Sequence, residues 1–349
     1  MKRLAVGLNA AIFAVTNEQP RLLTVADPRP QATADSAGEP ALPFGRLDPE
    51  GDRTLELGLR GWVREQTGLE LGYVEQLYTF GDRDRHLVGD DDSSRVLSIA
   101  YLALVREHDS PSLEEAHWRD VYELLPWEDW RGGRPAAIAR FLSPRLREWT
   151  TQSRPLQKQR RERVEIAFGL GGARWDEERV LDRYELLYEA GLLREARREV
   201  EPGASASAAW YPPRERSPMA PRTARSARSG AAGVEASARL GRSMVLDHRR
   251  IVATALGRLR GKLKYRPLVF ELLPPFFTLL QLQRVVEALA GIRLHKQNFR
   301  RLVETAGLVE GTGRVDTRTG GRPAELFAFR REVLRERPAP GVGLPGLRT

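Results

Sequence analysis

FTLLQLQRVVEALAGIRLHKQNFRRLVETAGLVEGTGRV, residues 277–315 of a 349-residue chain, decides how the back of the molecule folds. Thr278 and Gln281 have the spacing of a capping box, in which a hydroxyl and an amide side chain satisfy each other's backbone N–H groups at a helix start. Apolar residues then recur at helical spacing as far as Ala290, and Gly291 stops the run. A second helix starts near Lys296. On it Phe299, Leu302, Val303 and Ala306 share one face, while Gln297, Asn298, Arg300, Arg301 and Glu304 point away. Gln and Asn match adenine edges, and Arg matches guanine or phosphate, so the outward face has the chemistry of a helix that reads a major groove. After Gly307, LVEGTGRV and PAELFAF read as strands. DTRTGGR between them is a wing, with Arg318 and Arg322 placed to reach a phosphate backbone or a minor groove, and Arg314 just before. Residues 264–335 are therefore expected to be a winged helix-turn-helix. Its DNA-binding residues would be Lys296, Gln297, Asn298, Arg300, Arg301, Arg314, Arg318 and Arg322, and its partner double-stranded DNA.

The charge is unevenly placed. Residues 1–130 hold 24 acidic against 13 basic side chains, whereas residues 244–349 hold 9 against 20. An acidic front and a basic back imply two jobs on one chain, the second with an anionic partner. There are no cysteines, which excludes disulfides, thiolate metal sites and cysteine nucleophiles. MKRLAVGLNAAIFAV at the N-terminus mimics a signal peptide, but Asn9 interrupts it and no polar cleavage region follows. No apolar run reaches the roughly 18 residues a membrane span needs. A cytoplasmic protein with no membrane partner is expected.

Residues 1–26 read as two strands joined by a turn at Asn17–Pro20, and 27–45 as a loop rich in Pro, Gly, Ala and Asp. A helix is expected over 54–67, with Thr54 as cap, Leu55, Leu59, Trp62 and Val63 on its inner face, and Gly68 as stop. YVEQLYTFG and RVLSIAYLALV are strands around the polar loop DRDRHLVGDDDSS. Residues 119–200 look helical and charged, including WRDVYELLPWEDW, IARFLSPRLREW and RVLDRYELLYEAGLL. The stretch 201–243 has almost no apolar clusters and is expected to be a disordered linker. One long helix, 244–263, resumes the order, and 336–349 is a Pro/Gly-rich tail.

The stretch GLRGWVREQTGLEL, 58–71, gives the front its family resemblance. Residues 1–107 resemble a Nudix domain, whose box reads G-x5-E-x7-R-E-u-x-E-E-x-G-u with u apolar. Aligned on Gly68-Leu69, the Arg-Glu pair falls on Gly61 and Trp62, the Glu-Glu pair on Glu65 and Gln66, and the upstream Glu near Arg53. In the family these carboxylates hold Mg²⁺, which needs several oxygen ligands and then polarises a pyrophosphate. Here one carboxylate, one amide and one indole stand in their place. The resemblance thus implies a domain that keeps a nucleotide pocket without catalysis, and so no enzyme, no metal site and no resident cofactor.

The words FELLP, FTL, LQ, NFRR, GL, TG and GRPA-LF occur in order, and with residues 73–105 they resemble the NrtR family of Nudix-related transcription regulators of NAD metabolism, a resemblance that covers 1–118 and 245–332. LPWEDWRGGRP points to its NadQ-like branch. That resemblance implies an α/β Nudix-like sensor core (1–118), a largely helical insertion (119–200), a linker (201–243), a helix completing the sensor domain (244–263) and the winged helix domain. It implies a cytoplasmic, nucleoid-associated homodimer that represses NAD synthesis or salvage genes at a palindromic operator. The effector would be a nucleotide: NAD, ADP-ribose or ATP. Glu65, Tyr78 and Arg95 are the candidate effector-binding residues. Each has a plainer reading: Glu65 as an ordinary exposed helix residue, Tyr78 as core beside Phe80, and Arg95 as a solvated edge charge. The chain departs from the family in its eroded box, in His295 where an acidic helix cap is expected, and in the length of 119–243. The alternative is a hydrolase of ADP-ribose or a related dinucleotide with an appended nucleic-acid-binding domain. It predicts Mg²⁺-dependent release of AMP, lost on Glu65→Gln.

Overall fold

Asn17 and Glu18 both adopt positive φ, 50° and 63°, and pair Thr16 with Gln19 in a two-residue hairpin. This mirror-image turn matches the right-handed twist of the strands it joins. The computed structural model describes residues 4–26, 38–81, 95–106, 116–198, 240–317, 323–336 and 341. The expectations for loop 82–94, for linker residues 201–239, for Arg318 and Arg322 and for most of the tail lie outside them.

The hairpin strands are β1 (Leu4–Thr16) and β2 (Gln19–Val25). With β3 (Phe44–Arg46), β4 (Tyr73–Phe80), β5 (Arg95–Leu104) and β6 (Ala116–Asp120) they form one mixed sheet in the order β4-β5-β1-β2-β6. Strand β1 is central: it runs parallel to β5 over Leu4–Phe13 and antiparallel to β2 at Phe13–Thr16, and β3 pairs with Gly7–Asn9. Helix α1 (Leu55–Thr67) buries Leu59 and Val63 against one face of the sheet, with Leu8, Ile12 and Tyr101. Its cap is as read: Thr54 accepts from the Leu57 amide, and Gly68 closes the helix at φ 71°.

The loop and the first stretch of the insertion differ from the sequence reading. The loop 27–45 contains β3, because Ala41 bridges to Val25 and Phe44 pairs with Asn9. WRDVYELLPWEDW is not one helix. Trp118 to Asp120 end the edge strand β6, α2 (Val121–Leu124) is a single turn, and Pro126 opens a 3-10 turn to Glu128. The carboxylate of Asp120 caps the short helix by accepting from the Tyr122 amide at 2.8 Å.

The opposite face of the sheet carries everything else. A π-helical turn (Ala137–Leu142) runs into α3 (Ser143–Thr151), followed by α4 (Gln157–Phe168), α5 (Val180–Glu189) and α6 (Arg194–Arg198). Helix α7 spans His248–Leu263, and nearly all its residues are buried. It begins later than the sequence suggested, because Leu246 takes a positive φ of 48° and turns the chain first. Helices α8 (Leu279–Ala290) and α9 (Lys296–Thr305), strands β7 (Val309–Asp316) and β8 (Ala324–Phe329), and the turn α10 (Val333–Glu336) follow. One hydrophobic cluster joins Phe13 and Leu102 of the sheet, Trp149 and Phe168 of the insertion, Ile251 and Leu256 of α7, and Val286 and Phe299 behind it. The fold is an α/β Nudix-like domain with a helical insertion and a winged helix domain packed on the same core.

Candidate nucleic-acid interface and sensor face

Helix α8 starts from the capping box: Thr278 N–H donates to Gln281 at 2.7 Å and Gln281 N–H donates to the Thr278 hydroxyl at 3.1 Å. It stops at Gly291, φ 71°, in the left-handed conformation that glycine adopts without strain. The turn into α9 is held by Glu287, which is 1% exposed. Its carboxylate accepts from the Leu294 amide at 2.9 Å, from Gln283 at 2.9 Å, from Arg293 at 2.7 Å and from Arg284 at 3.1 Å. Burial pushes its pKa up, but the Leu294 amide, Arg293 and Gln283 together hold it below the ordinary glutamate value. Sequence reasoning missed this residue; a glutamate on an otherwise apolar helix end was its only signal.

Helix α9 buries Phe299 and Val303 and leaves Leu302 and Ala306 half-buried. Lys296, Gln297, Asn298, Arg300 and Arg301 are all exposed and make no ion pair among the described residues. His295 occupies the cap position and makes no side-chain capping bond, so the helix's first amides stay available to a ligand. The wing closes on α8 through the antiparallel bridge between Phe277 and Phe327. Arg314 does not stand free, for its guanidinium lies over the Phe276 ring at 4.9 Å. The structure thus gathers the five α9 residues on one open face, with Arg314 on the neighbouring hairpin.

This winged unit is bolted to the rest of the chain. Tyr122 donates to the carbonyl of Ala288 at 2.7 Å, Arg260 of α7 donates to that of Leu289 at 3.0 Å, and the Trp130 amide donates to that of Gly291 at 2.7 Å. Glu128, fully buried, receives Arg183 at 2.6 Å and Arg260 at 2.6 Å on its two oxygens. The two guanidiniums share one carboxylate, and both also bond backbone carbonyls. Burial, partly offset by Arg260, pushes the Tyr122 hydroxyl up to about 12, so it stays a neutral donor. At the surface Glu18 of the β1–β2 turn meets Arg284 at 3.3 Å and Arg293 at 3.8 Å. Two further arginines of α7 meet glutamates of the insertion: Arg249 with Glu195 at 3.3 Å and Arg250 with Glu185 at 2.7 Å.

On the α1 face of the sheet, the residues that sequence reading aligned with the box have structural partners. Trp62 donates its indole N–H to the Arg46 carbonyl at 2.7 Å and lies so close to Gly45 that a Cβ there would collide with the ring. Gln66 accepts from the Phe44 amide at 3.1 Å and donates to the Phe44 carbonyl at 2.5 Å, completing a strand-like bridge. These two side chains therefore staple β3 to α1. A carboxylate could not make the second Gln66 bond, because it has no proton to donate. Glu65 is exposed beside them. Among the described residues no group of three or more His, Asp or Glu side chains forms a metal-binding cluster.

Tyr78 lies elsewhere. An extra residue in β4 between Gln76 and Thr79 bends the strand. Tyr78 is left 51% exposed rather than in the core, and Arg258 of α7 reaches its hydroxyl at 3.5 Å. Phe80 is core, as read. Glu65 on α1 and Tyr78, reached by Arg258 of α7, thus lie beside helices packed on opposite faces of the sheet. Arg95 opens β5 beside Leu4.

Residues 269–329 match the model of the NrtR DNA-binding winged helix domain. A curated relative, the ADPR responsive transcriptional repressor NtrR of Acinetobacter baylyi, is 38% identical over 86 residues, 25% of this chain. The match spans 34% of that relative's length. Among solved structures, Shewanella oneidensis NrtR complexed with a 27mer DNA is similar over 98% of this chain and 99% of its own, at 19% identity and a TM-score of 0.53. A MutT/nudix family protein from Enterococcus faecalis is similar over 95% of this chain and 88% of its own, at 14% identity and a TM-score of 0.47.

Proposed function

We propose that this chain, whose residues 269–329 match the NrtR DNA-binding winged helix domain, is a DNA-binding transcriptional repressor with a nucleotide-sensing Nudix-like domain. The observation that carries the reading is the open face of α9. Lys296, Gln297, Asn298, Arg300 and Arg301 stand exposed on a helix whose buried side is fixed in a winged fold, with no acidic partner among the described residues neutralising them. Covering such a face costs desolvation, which base edges and phosphates offset by satisfying the same donors. Arg314, with Arg318 and Arg322 on the wing, supplies the backbone contacts in this reading. The protein acts as a cytoplasmic homodimer, and its two α9 helices read half-sites about one helical turn apart. Its genes are those of NAD synthesis or salvage, as its resemblance to the NrtR family suggests.

The effector is a nucleotide, and ADP-ribose is favoured over NAD and ATP because a relative's name records a response to it. Tyr78 with Arg258 offers an aromatic ring and a cation at one edge of the sheet, and Arg95 the start of the neighbouring strand. Glu65 belongs to the opposite face and is the weakest of the three candidates. Catalysis is not part of the reading, since Trp62 and Gln66 hold β3 where a hydrolase would present metal-binding carboxylates. The domain division 1–118, 119–200, 201–243, 244–263 and 264–335 is kept as the functional one.

The test is fluorescence anisotropy of the full chain on DNA from upstream of the NAD synthesis genes, with scrambled DNA as control. The wild type should prefer the first, and the Gln297→Ala/Asn298→Ala double variant should lose that preference while keeping weak binding to both. Equal binding of the wild type to both DNAs would remove the operator reading for that locus.

A further inference from the structure

A cleft of about 610 Å³ lies in the insertion, between the π-helical turn with α3 on one side and α4 on the other. That volume is in the range of small-molecule sites. Ala139, Val164 and Leu170 give it an apolar wall, and Arg134, Arg147 and Arg161 line it with cations. Arg161 is committed to Glu165 at 2.9 Å. Arg134 and Arg147 are exposed and make no ion pair among the described residues. The hydroxyls of Ser143, Thr150 and Thr151 already donate to carbonyls of their own helices. The donors left for a ligand are the two free guanidiniums and the Gln157 amide.

The local backbone is unusual at the same place. Residues Ala137–Leu142 form a π-helix, a rare conformation that recurs at functional sites. Its cause is visible: Pro144 has no N–H to continue the helical ladder, and both the amide and the hydroxyl of Ser143 bond to the Ile138 carbonyl. The wider turn brings Ala139 into the cleft wall. The opposite wall, α4, ends beside the buried ion triplet, since the Ala167 carbonyl accepts from Arg183 at 3.1 Å.

We infer that this cleft is a second ligand site, distinct from the sensor face, for a small amphipathic anion: an apolar or aromatic body against Ala139, Val164 and Leu170, and a phosphate or carboxylate held by Arg134 and Arg147. The guanidinium fork suits either oxyanion, and the apolar wall separates such a ligand from a free inorganic ion.

The test uses the full chain and anilinonaphthalene sulfonate, a fluorescent amphipathic anion, with binding read by fluorescence and its location by hydrogen exchange. The wild type should bind the dye and gain protection over residues 137–170. Arg134→Ala/Arg147→Ala should weaken that binding about tenfold or more, the loss expected for charge-assisted hydrogen bonds. Displacement by AMP but not benzoate would assign a phosphate ligand, the reverse a carboxylate, both supporting the site. Inorganic phosphate alone should not displace it. Unchanged affinity in the double variant, with its circular dichroism unaltered, or protection that falls outside 137–170, would overturn the inference.

Discussion

Glu128 holds the molecule together by being outnumbered. Two buried arginines share its carboxylate, so removing that charge strands both guanidiniums in a dry interior. Glu128→Gln should therefore destabilise the chain by about 3–5 kcal/mol, read from denaturant unfolding, and a loss below about 1 kcal/mol would contradict the triplet's role. Gln66 makes the matching case on the other face. Gln66→Glu restores a carboxylate to the box but faces the Phe44 carbonyl without a proton, which should cost about 1–3 kcal/mol and release no AMP from ADP-ribose with Mg²⁺. Hydrolysis appearing in that variant would show that the site was one residue from activity. Sequence reading aligned Trp62 and Gln66 with positions that are carboxylates in the Nudix box, because the box spacing is fixed. It could not reveal what they now hold, because β3 reaches α1 only after the chain has folded back. Nor could it show that Tyr78 leaves the core, since one extra residue in β4 re-aims a side chain without changing the alternating pattern.

Helices α8 and α9 were legible because every level agrees in them: capping box, apolar period, glycine stop. The contrast is WRDVYELLPWEDW, whose helical spacing lost to the ladder that β6 completes beside β2 and to the proline that follows. For α9, Asn298→Ala should cost about 1–3 kcal/mol of discrimination at an adenine position, whereas Arg300→Ala should weaken all DNAs alike if it meets phosphate and reduce the salt slope by about one unit. Anisotropy titrations at several salt concentrations separate the two. The α8–α9 turn depends on an ionised Glu287. Its folded pKa is held below the ordinary value, so its contribution is full above about pH 4.5 and is lost as pH falls through the folded pKa. Stability measured by denaturant from pH 6 to 3 should fall less steeply in Glu287→Gln than in the wild type. Parallel pH profiles would contradict that assignment.

Helix α7 joins the sheet, the insertion and the winged helix, and its buried arginines bond to all but the first. Sequence reading took 244–263 for a connecting helix that completes the sensor domain. The structure makes it the centre of one core, with the insertion's glutamates pairing to it, and those long-range pairs carry no local signature. A winged helix anchored in this way can respond to a nucleotide only if the nucleotide binds one arrangement of the core better than another. The direct measurement is operator affinity of the full chain at fixed salt as ADP-ribose is titrated in. A shift in affinity on operator DNA, absent on scrambled DNA and without consumption of the ADP-ribose, is the expected result. Operator affinity that stays constant while ADP-ribose saturates the protein, or ADP-ribose that is steadily hydrolysed, would contradict a nucleotide-responsive repressor.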